Sequence, residues 1–478
     1  STARTDDSAC HPTVSSAKSG TPTLFERLGR PRHVMAPMVH GSELPFRMLC
    51  RRYGCQLCYT PMWNAALVRD DPEYAAFVIK DASCPDDRPL IMQFQASSGK
   101  DLLAAAEIVA PYVDAVDLNL GCPQTCAQKG GYGASLMDNL PKVARIVKTA
   151  AKKSPVPITA KIRVFRDDEQ ATVAYARLLE QAGAQMLTVH GRGREDREAH
   201  QLANWDLIRA VKRAVRIPVL ANGNILYYPD IPRCLKHTGC DGVMVANALL
   251  WDPRLFTNPA LPLVTGHLFD MCAPADALGV ALAKEYLECV RQHPTEYLYV
   301  LHHIKRLLYN CAHYHPEMIV RLLQLQVNIV GDQSAPTSQT LIQKLEPLLD
   351  TLESQVKDSP VPGRKKDPNR KMLGWLAQPR QLSEDMVRFK ATRWVEPKVH
   401  EDVIALLQRR AATIAEAIRQ QKAPRADACN AEQPPSAAPP APAGALEQEE
   451  AVAAETCEAV SEVPGEGPGP QTVSNGAV

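Results

Sequence analysis

Short apolar runs rich in β-branched residues alternate with helical patterns between residues 31 and 256. The runs predict eight strands, at residues 33–38, 56–62, 89–95, 115–121, 157–164, 186–192, 218–224 and 242–248. Helical periodicity lies between them, as in residues 171–184, where Gly183 is placed for a helix C-cap. Eight β-α units predict a (β/α)8 TIM barrel. A doubly wound sheet, the alternative, normally has fewer units and a glycine fingerprint after its first strand, and this sequence has none there.

Polar side chains with chemical capacity stand at the carboxyl ends of these predicted strands. Active sites of this barrel form at that end, so their common placement predicts a functional site. The residues are Gln93, Asn119, Cys122, Lys161, Arg163, His190, Arg192 and Asn222.

The pattern divides the chain into five segments. We expect a flexible segment at 1–30, the barrel at 31–262, an all-helical domain at 263–350, a basic extension with a helix at 351–425 and a disordered, acidic Ala/Pro/Glu-rich tail at 426–478. From Lys357 to Arg425 there are 16 Lys and Arg against 8 Asp and Glu, and nine acidic and no basic residues follow. Such a basic segment fits a polyanionic partner, although a solvated helical face gives the same counts.

Composition narrows the class of protein. The 478 residues are 45% hydrophobic, which is enough for a large core. The sequence has no apolar run of membrane-spanning length and no signal-peptide pattern, so we expect a soluble, intracellular protein without a membrane partner.

The chain begins with Ser1 rather than methionine, which predicts further residues upstream. Its 14 cysteines include the close pairs Cys55/Cys58 and Cys122/Cys126, without partners for a zinc site, so we expect mostly reduced core thiols and no metal.

Five motifs stand at the strand ends in a fixed order: "MAPMV" from residue 35, "LNLGCPQ" followed by "GGYGASL" from residue 118, "AKIR" from residue 160, "VHGR" from residue 189 and "ANGNI" from residue 221. With them, the chain resembles the tRNA-dihydrouridine synthase family, specifically its eukaryotic type acting at D-loop positions 16 and 17. The resemblance spans roughly Val34 to Gln324. Related flavin barrels such as dihydroorotate dehydrogenases share single motifs, but the combination is highly specific.

The resemblance implies a reaction. In this family, reduced FMN passes a hydride to C6 of uracil while the cysteine of the Gly-Cys-Pro motif supplies a proton to C5, so Cys122 is the expected acid. NADPH or NADH is the expected reductant. Gly121 allows the tight turn after the strand and Pro123 limits the conformations of the loop. A thiol that protonates carbon works in its neutral form and needs no activating histidine.

The resemblance also implies the binding residues. Lys161 is expected beside N1 of the flavin, where reduced FMN carries negative charge, and Gln93 at the pyrimidine edge of the ring. Asn119 and Arg163 are expected to contact the uracil, held out of the tRNA fold. Many members have a glycine and an arginine where this chain has Ala246 and Asn247, which leaves backbone amides to hold the phosphate. The full set expected at the cofactor is Ala36, Pro37, Met38, Gln93, Lys161, His190, Arg192, Asn222, Gly223, Asn224, Ala246 and Asn247.

The expected partner is tRNA, bound by a monomer in the cytoplasm or nucleus. Basic and histidine residues of the helical segment are typical either of an RNA-facing surface or of an ordinary polar helix stripe: His302, His303, Lys305, Arg306 and Arg321. A later cluster beside Trp375 is typical of a tRNA contact or a nuclear-import signal: Arg364, Lys365, Lys366, Arg370 and Lys371. Two alternative functions stay open: a flavin barrel that reduces a free pyrimidine or another small activated alkene, and a non-catalytic tRNA-binding protein.

Overall fold

The structure, a computed structural model, describes residues 22–196, 202–257, 275–308, 321–322, 325 and 337–358. The basic extension beyond residue 358, the cluster beside Trp375 and the acidic tail at 426–478 lie outside the described residues. Among the helices that are described, none combines the length and the apolar character needed to cross a membrane.

Eight parallel strands form a nearly closed barrel. From β2 to β8, each strand pairs with the next strand in chain order, and β1 pairs with β8. A single bridge between Val34 and Leu57 links β1 to the residues just before β2. The predicted barrel of eight parallel strands is therefore confirmed. The strands are β1 His33–Met35, β2 Cys58–Asn64, β3 Leu90–Gln95, β4 Ala115–Leu120, β5 Ile158–Arg163, β6 Leu187–His190, β7 Val219–Asn222 and β8 Gly242–Val245.

Helices alternate with the strands and cover the barrel. They are α1 Leu24–Arg27, α2 Leu44–Arg52, α3 Ala65–Asp70, α4 Pro72–Ala82, α5 Gly99–Val109, α6 Thr125–Gly130, α7 Leu140–Lys153, α8 Glu169–Ala182, α9 Trp205–Ala214, α10 Asp230–Thr238 and α11 Asn247–Trp251, with 3₁₀ turns at Ala110–Tyr112 and Gly133–Asp138. The predicted C-cap of α8 is present, since Gly183 ends that helix with φ 108°, a left-handed conformation that favours glycine. At the other end of α8, the Asp168 side chain accepts a hydrogen bond from the Ala171 amide.

The short helix α1 closes the amino-terminal end of the barrel. Thr23 and Glu26 form a capping box at its start. Leu24 and Leu28 are buried in one apolar cluster with Val34, Leu57 and Ile91 from the barrel interior. The residues of the expected flexible segment that the structure describes are thus folded, because their leucines fill the end of the core.

Helices also follow the barrel: α12 Ala275–Gln292, α13 Tyr297–Leu307 and α14 Ser338–Asp358. The described part of the expected helical domain is therefore helical, and α14 continues past residue 350, where we expected the domain to end. At the contact of α2 with α12 and α13, Glu43 lies against Tyr286 and His303, and Phe46 stacks on the His303 ring with 4.0 Å between ring centroids. His303 is fully buried, so neither of the two interpretations of this residue, an RNA-facing surface or a polar helix stripe, holds for it.

Candidate functional site at the carboxyl end of the barrel

The structure brings the predicted polar residues together at the carboxyl end of the barrel. Gln93, Asn119, Lys161 with Arg163, His190 and Asn222 are in β3 to β7, and their strands are paired in that order. Asn119 is the register partner of Lys161, and Arg163 is that of His190. The remaining predicted residues stand in the loops that leave β1, β4, β6, β7 and β8, except Asn247, which is the first residue of α11.

Asn119 fixes the loop that carries Cys122. Its Oδ1 accepts hydrogen bonds from the backbone amides of Gly121 at 3.0 Å and Cys122 at 2.9 Å. The Cys122 carbonyl in turn accepts from the Ala134 amide at 2.9 Å. Gly133, at φ 64°, passes so close that a Cβ there would lie 2.7 Å from the Cys122 carbonyl oxygen. The half-buried thiol therefore stands on a loop tied at both sides.

Beneath Asn119 lies a group that the sequence did not indicate. Asp117 is buried, and its carboxylate accepts hydrogen bonds from Gln93 Nε2 at 2.8 Å and Thr159 Oγ1 at 2.6 Å. The other end of the Gln93 amide, Oε1, accepts from Asn119 Nδ2 at 2.8 Å. Burial raises the pKa of Asp117 to about 6, although the hydrogen bonds from Thr159 and Gln93 and the charge of Lys161 act in the opposite direction.

Arg163 binds backbone carbonyls of two loops. Its Nε donates to the Gly121 oxygen at 2.8 Å, and its Nη1 donates to the oxygens of Gly193 at 2.7 Å and Asp196 at 3.0 Å. It thereby joins the loop of Cys122 to the loop after β6, a task that nothing in the sequence indicated. Its expected contact with uracil stays a prediction.

Lys161 is the residue expected to place a cation beside N1 of the flavin. Burial lowers its pKa to about 8, and the charge of Arg163 acts in the same direction, while Asp117 and Cys122 oppose the shift. The Lys161 ammonium is thus stabilised by the buried carboxylate of Asp117.

His190 and Arg192 form a second pair at the end of β6. Burial, followed by the charges of Lys161, Arg163 and Arg192, holds the pKa of His190 well below its usual range. The neutral ring can accept a hydrogen bond from Arg192 Nη1, which is 3.1 Å from His190 Nε2. Burial and the charge of Arg163 lower the pKa of Arg192 to about 10.

The loop after β7 requires its glycine. Gly223 has φ 110°, and a Cβ there would lie 2.6 Å from the Cβ of Ala203. Asn224, at φ 60°, accepts hydrogen bonds from Arg192 Nη2 at 3.2 Å and the Ala203 amide at 2.7 Å. Asn222 donates to the Met244 oxygen at 2.9 Å, so its side chain ties β7 to β8.

The first and last strands complete the rim. Ala36 is buried and its amide donates to the Val245 oxygen, whereas Pro37 and Met38 are half-buried. The backbone N and O of Met38 both bond to the Ser42 hydroxyl, at 3.0 and 3.1 Å. After β8, Ala246 precedes α11, whose first residue, Asn247, is exposed.

These features define a (β/α)8-barrel protein with a cation-rich, cysteine-bearing site at the carboxyl end of its strands. The family model described as dihydrouridine synthase (Dus) matches residues 34–344. The chain therefore belongs to the dihydrouridine synthase family.

Similar curated proteins are named for two different sets of tRNA positions, 16/17 and 20a/20b. A mouse protein named tRNA-dihydrouridine(16/17) synthase (NAD(P)(+))-like is 43% identical over 300 residues, which are 63% of this chain and 60% of that protein. A Saccharomyces cerevisiae tRNA-dihydrouridine(16/17) synthase is 46% identical over 49% of this chain and 56% of its own length. A human tRNA-dihydrouridine(20a/20b) synthase-like protein is 38% identical over 52% of this chain and 77% of its own. The chain thus spans less than two thirds of the length of the mouse and Saccharomyces cerevisiae relatives.

Proposed function

We propose that this protein reduces uridine to 5,6-dihydrouridine in the D-loop of tRNA, at positions 16 and 17, with FMN as its cofactor and NADPH or NADH as the reductant. Membership of the dihydrouridine synthase family supports the reaction. Identities of 43% and 46% to relatives named for positions 16/17, against 38% to one named for 20a/20b, support the position. The names of the former also support a nicotinamide reductant.

The charge of the site supports a flavin mononucleotide. Lys161, His190 and Arg192 all have a pKa that burial lowers and that cationic neighbours lower further. A bound anion would relieve this repulsion, and FMN brings a phosphate and, when reduced, a negative charge near N1. Bound FMN would supply the hydride for C6 of uracil. Lys161 would hold the ring near N1 and Gln93 its pyrimidine edge, and backbone amides at Gly223, Asn224, Ala246 and Asn247 would hold the phosphate.

One observation carries the proposal most directly: the Asn119 side chain holds the Cys122 loop at the same end of the barrel as Lys161. Cys122 holds a proton on Sγ and delivers it to C5 of the uracil. Its loop is tied to Asn119 and Arg163, so the thiol does not have to be positioned when the substrate binds. The base must leave its stack in the tRNA to reach this site, and unstacking costs a few kcal/mol.

The test is reconstitution with the full chain. The purified protein is loaded with FMN and incubated with NADPH and tRNA from cells that lack dihydrouridine, and the modified positions are then mapped. We expect dihydrouridine at positions 16 and 17. Product at other positions alone would contradict the position, and reduction of free uracil but not of tRNA would favour the small-alkene reductase. A protein that binds tRNA tightly but retains no flavin would be the non-catalytic binder.

A further inference from the structure

Asp117 is a buried carboxylate in β4, the strand that precedes the Cys122 loop. It lies two residues before Asn119 in β4, so both side chains point to the same face of the sheet. Its two oxygens accept from Thr159 Oγ1 at 2.6 Å and Gln93 Nε2 at 2.8 Å. An ionised carboxylate can only accept hydrogen bonds, so Gln93 must turn its NH₂ group toward it.

The orientation that Asp117 imposes on the Gln93 side-chain amide is passed on to the Asn119 side-chain amide. With its NH₂ group toward Asp117, Gln93 presents Oε1 to Asn119, whose Nδ2 donates to it at 2.8 Å. Asn119 then presents Oδ1 to the amides of Gly121 and Cys122, which can only donate. Rotation of either side-chain amide by half a turn would place donor against donor or acceptor against acceptor. The carboxylate at one end and the backbone amides at the other therefore require the same direction of the hydrogen bonds, and Asp117 holds the Gln93 end of that chain in place.

We propose that Asp117 is a positioning residue, which orients the amides of Gln93 and Asn119 and thereby fixes the loop that carries Cys122. It touches neither substrate nor cofactor in this role and acts only through Gln93 and Asn119. The inference rests on the proposed function for its effect on catalysis, but its effect on the loop does not depend on that function.

The primary variant is Asp117→Asn, which keeps the shape of the side chain but can donate as well as accept. The readout is the rate at which iodoacetamide alkylates Cys122 in the purified full chain, followed by peptide mass spectrometry. Cys84, half-buried near the end of α4, is the internal reference. We expect alkylation of Cys122 to accelerate on the order of tenfold as the loop loses its anchor, with Cys84 unchanged. Reoxidation of reduced flavin by tRNA should slow on the order of 10²-fold, since the acid is misplaced.

Two further variants separate positioning from general damage to the fold. Thr159→Val removes the other donor to Asp117 and leaves the branch through Gln93 intact, so Cys122 should be alkylated at nearly the parental rate. The double variant Asp117→Asn with Gln93→Glu moves the carboxylate along the chain. The new carboxylate accepts from the new amide at position 117 and from Asn119 Nδ2, so the original direction returns. We expect alkylation of Cys122 within about twofold of the parental rate.

The outcomes decide the inference. Parental alkylation of Cys122 in Asp117→Asn overturns it, as does a double variant that behaves like the single one. Faster alkylation in Asp117→Asn that returns to the parental rate in the double variant supports the inference, even if the parent protein forms no dihydrouridine. Failure of the parent to form dihydrouridine would count only against the proposed function. Because Gln93 is itself expected at the flavin, rescue is scored on alkylation and not on turnover.

Discussion

The buried His303 imidazole on α13 lies directly against the Glu43 carboxylate before α2, with 2.7 Å between Nε2 and Oε1. Tyr286 on α12 donates a second hydrogen bond to the same oxygen at 2.8 Å. Burial favours the neutral acid, but the charge of His303 and the hydrogen bonds from His303 and Tyr286 lower the pKa of Glu43. The pair joins the helices after the barrel to the segment that follows Pro37 and Met38.

We expect His303→Ala to lower the free energy of unfolding by about 3–5 kcal/mol, because it leaves the buried Glu43 carboxylate without the imidazole beside it. Urea denaturation at neutral pH measures the loss. Glu73→Gln, at an exposed position in the first turn of α4, is the control and should stay within about 0.5 kcal/mol of the parent. A similar small loss for His303→Ala would show that the pair adds little to stability.

Replacing Cys122 should impair only one half-reaction. Cys122→Ala should bind FMN and be reduced by NADPH as the parent is, whereas reoxidation of the flavin by tRNA should slow by about 10² to 10⁴, the usual contribution of general acid catalysis. Stopped-flow absorbance separates the two steps. The control Cys126→Ala, outside the Gly-Cys-Pro turn, should behave nearly as the parent. An unimpaired Cys122→Ala with an inactive Cys126→Ala would identify the other thiol as the acid.

Retention of FMN should depend on pH through Lys161. Its pKa of about 8 in the folded protein lies below the usual lysine value, so the ammonium is present below pH 8 and is lost as pH rises above it. An anionic ligand binds the charged form better, so the affinity of the flavin-free protein for FMN should fall as pH rises from 7 to 9. Fluorescence titration measures it.

The control for this dependence is Lys161→Met, which keeps most of the side-chain volume without the charge. Its affinity should be weaker at pH 7 and nearly constant up to pH 9. A parental affinity that is equally constant would exclude Lys161 as the titrating group. The same shift affects stability: the folded-state pKa is depressed, so the unfolded chain binds more protons between pH 8 and the usual lysine pKa. The contribution of Lys161 to stability therefore rises with pH in that window.

Removal of the α1 anchor should destabilise the barrel. Leu24 is 2% exposed, so Leu24→Ala should cost about 2–5 kcal/mol of unfolding free energy through lost burial and a residual cavity. Arg27→Ala, on the exposed side of the same helix, should cost far less. If both variants unfold at the parental urea concentration, α1 is dispensable, as expected of a flexible segment.

The local sequence pattern was sufficient to predict the strands and the position of the Cys122 thiol on a loop. Apolar runs rich in β-branched residues mark the strands, polar residues stand at the ends of β3 to β7, and the periodicity of 171–184 with Gly183 places α8. These features depend on neighbours in the chain, so they can be read without the fold. The "LNLGCPQ" motif likewise placed Cys122 on a loop after β4, where the structure has it.

What the sequence by itself determined is the succession of eight strands and the end of the barrel at which polar side chains gather. Tertiary structure alone decided which of those side chains bind one another. Asp117 stands between Val116 and Leu118 and looks like an ordinary strand residue until β3 and β5 bring Gln93 and Thr159 beside it. Tyr286 reaches Glu43 across 243 residues of chain, and the same packing buries His303, which its sequence neighbours had suggested was exposed. Local periodicity reports which face of an element is apolar, but a hydrogen-bond or ion-pair partner depends on distances that exist only after the barrel has closed and its helices have packed.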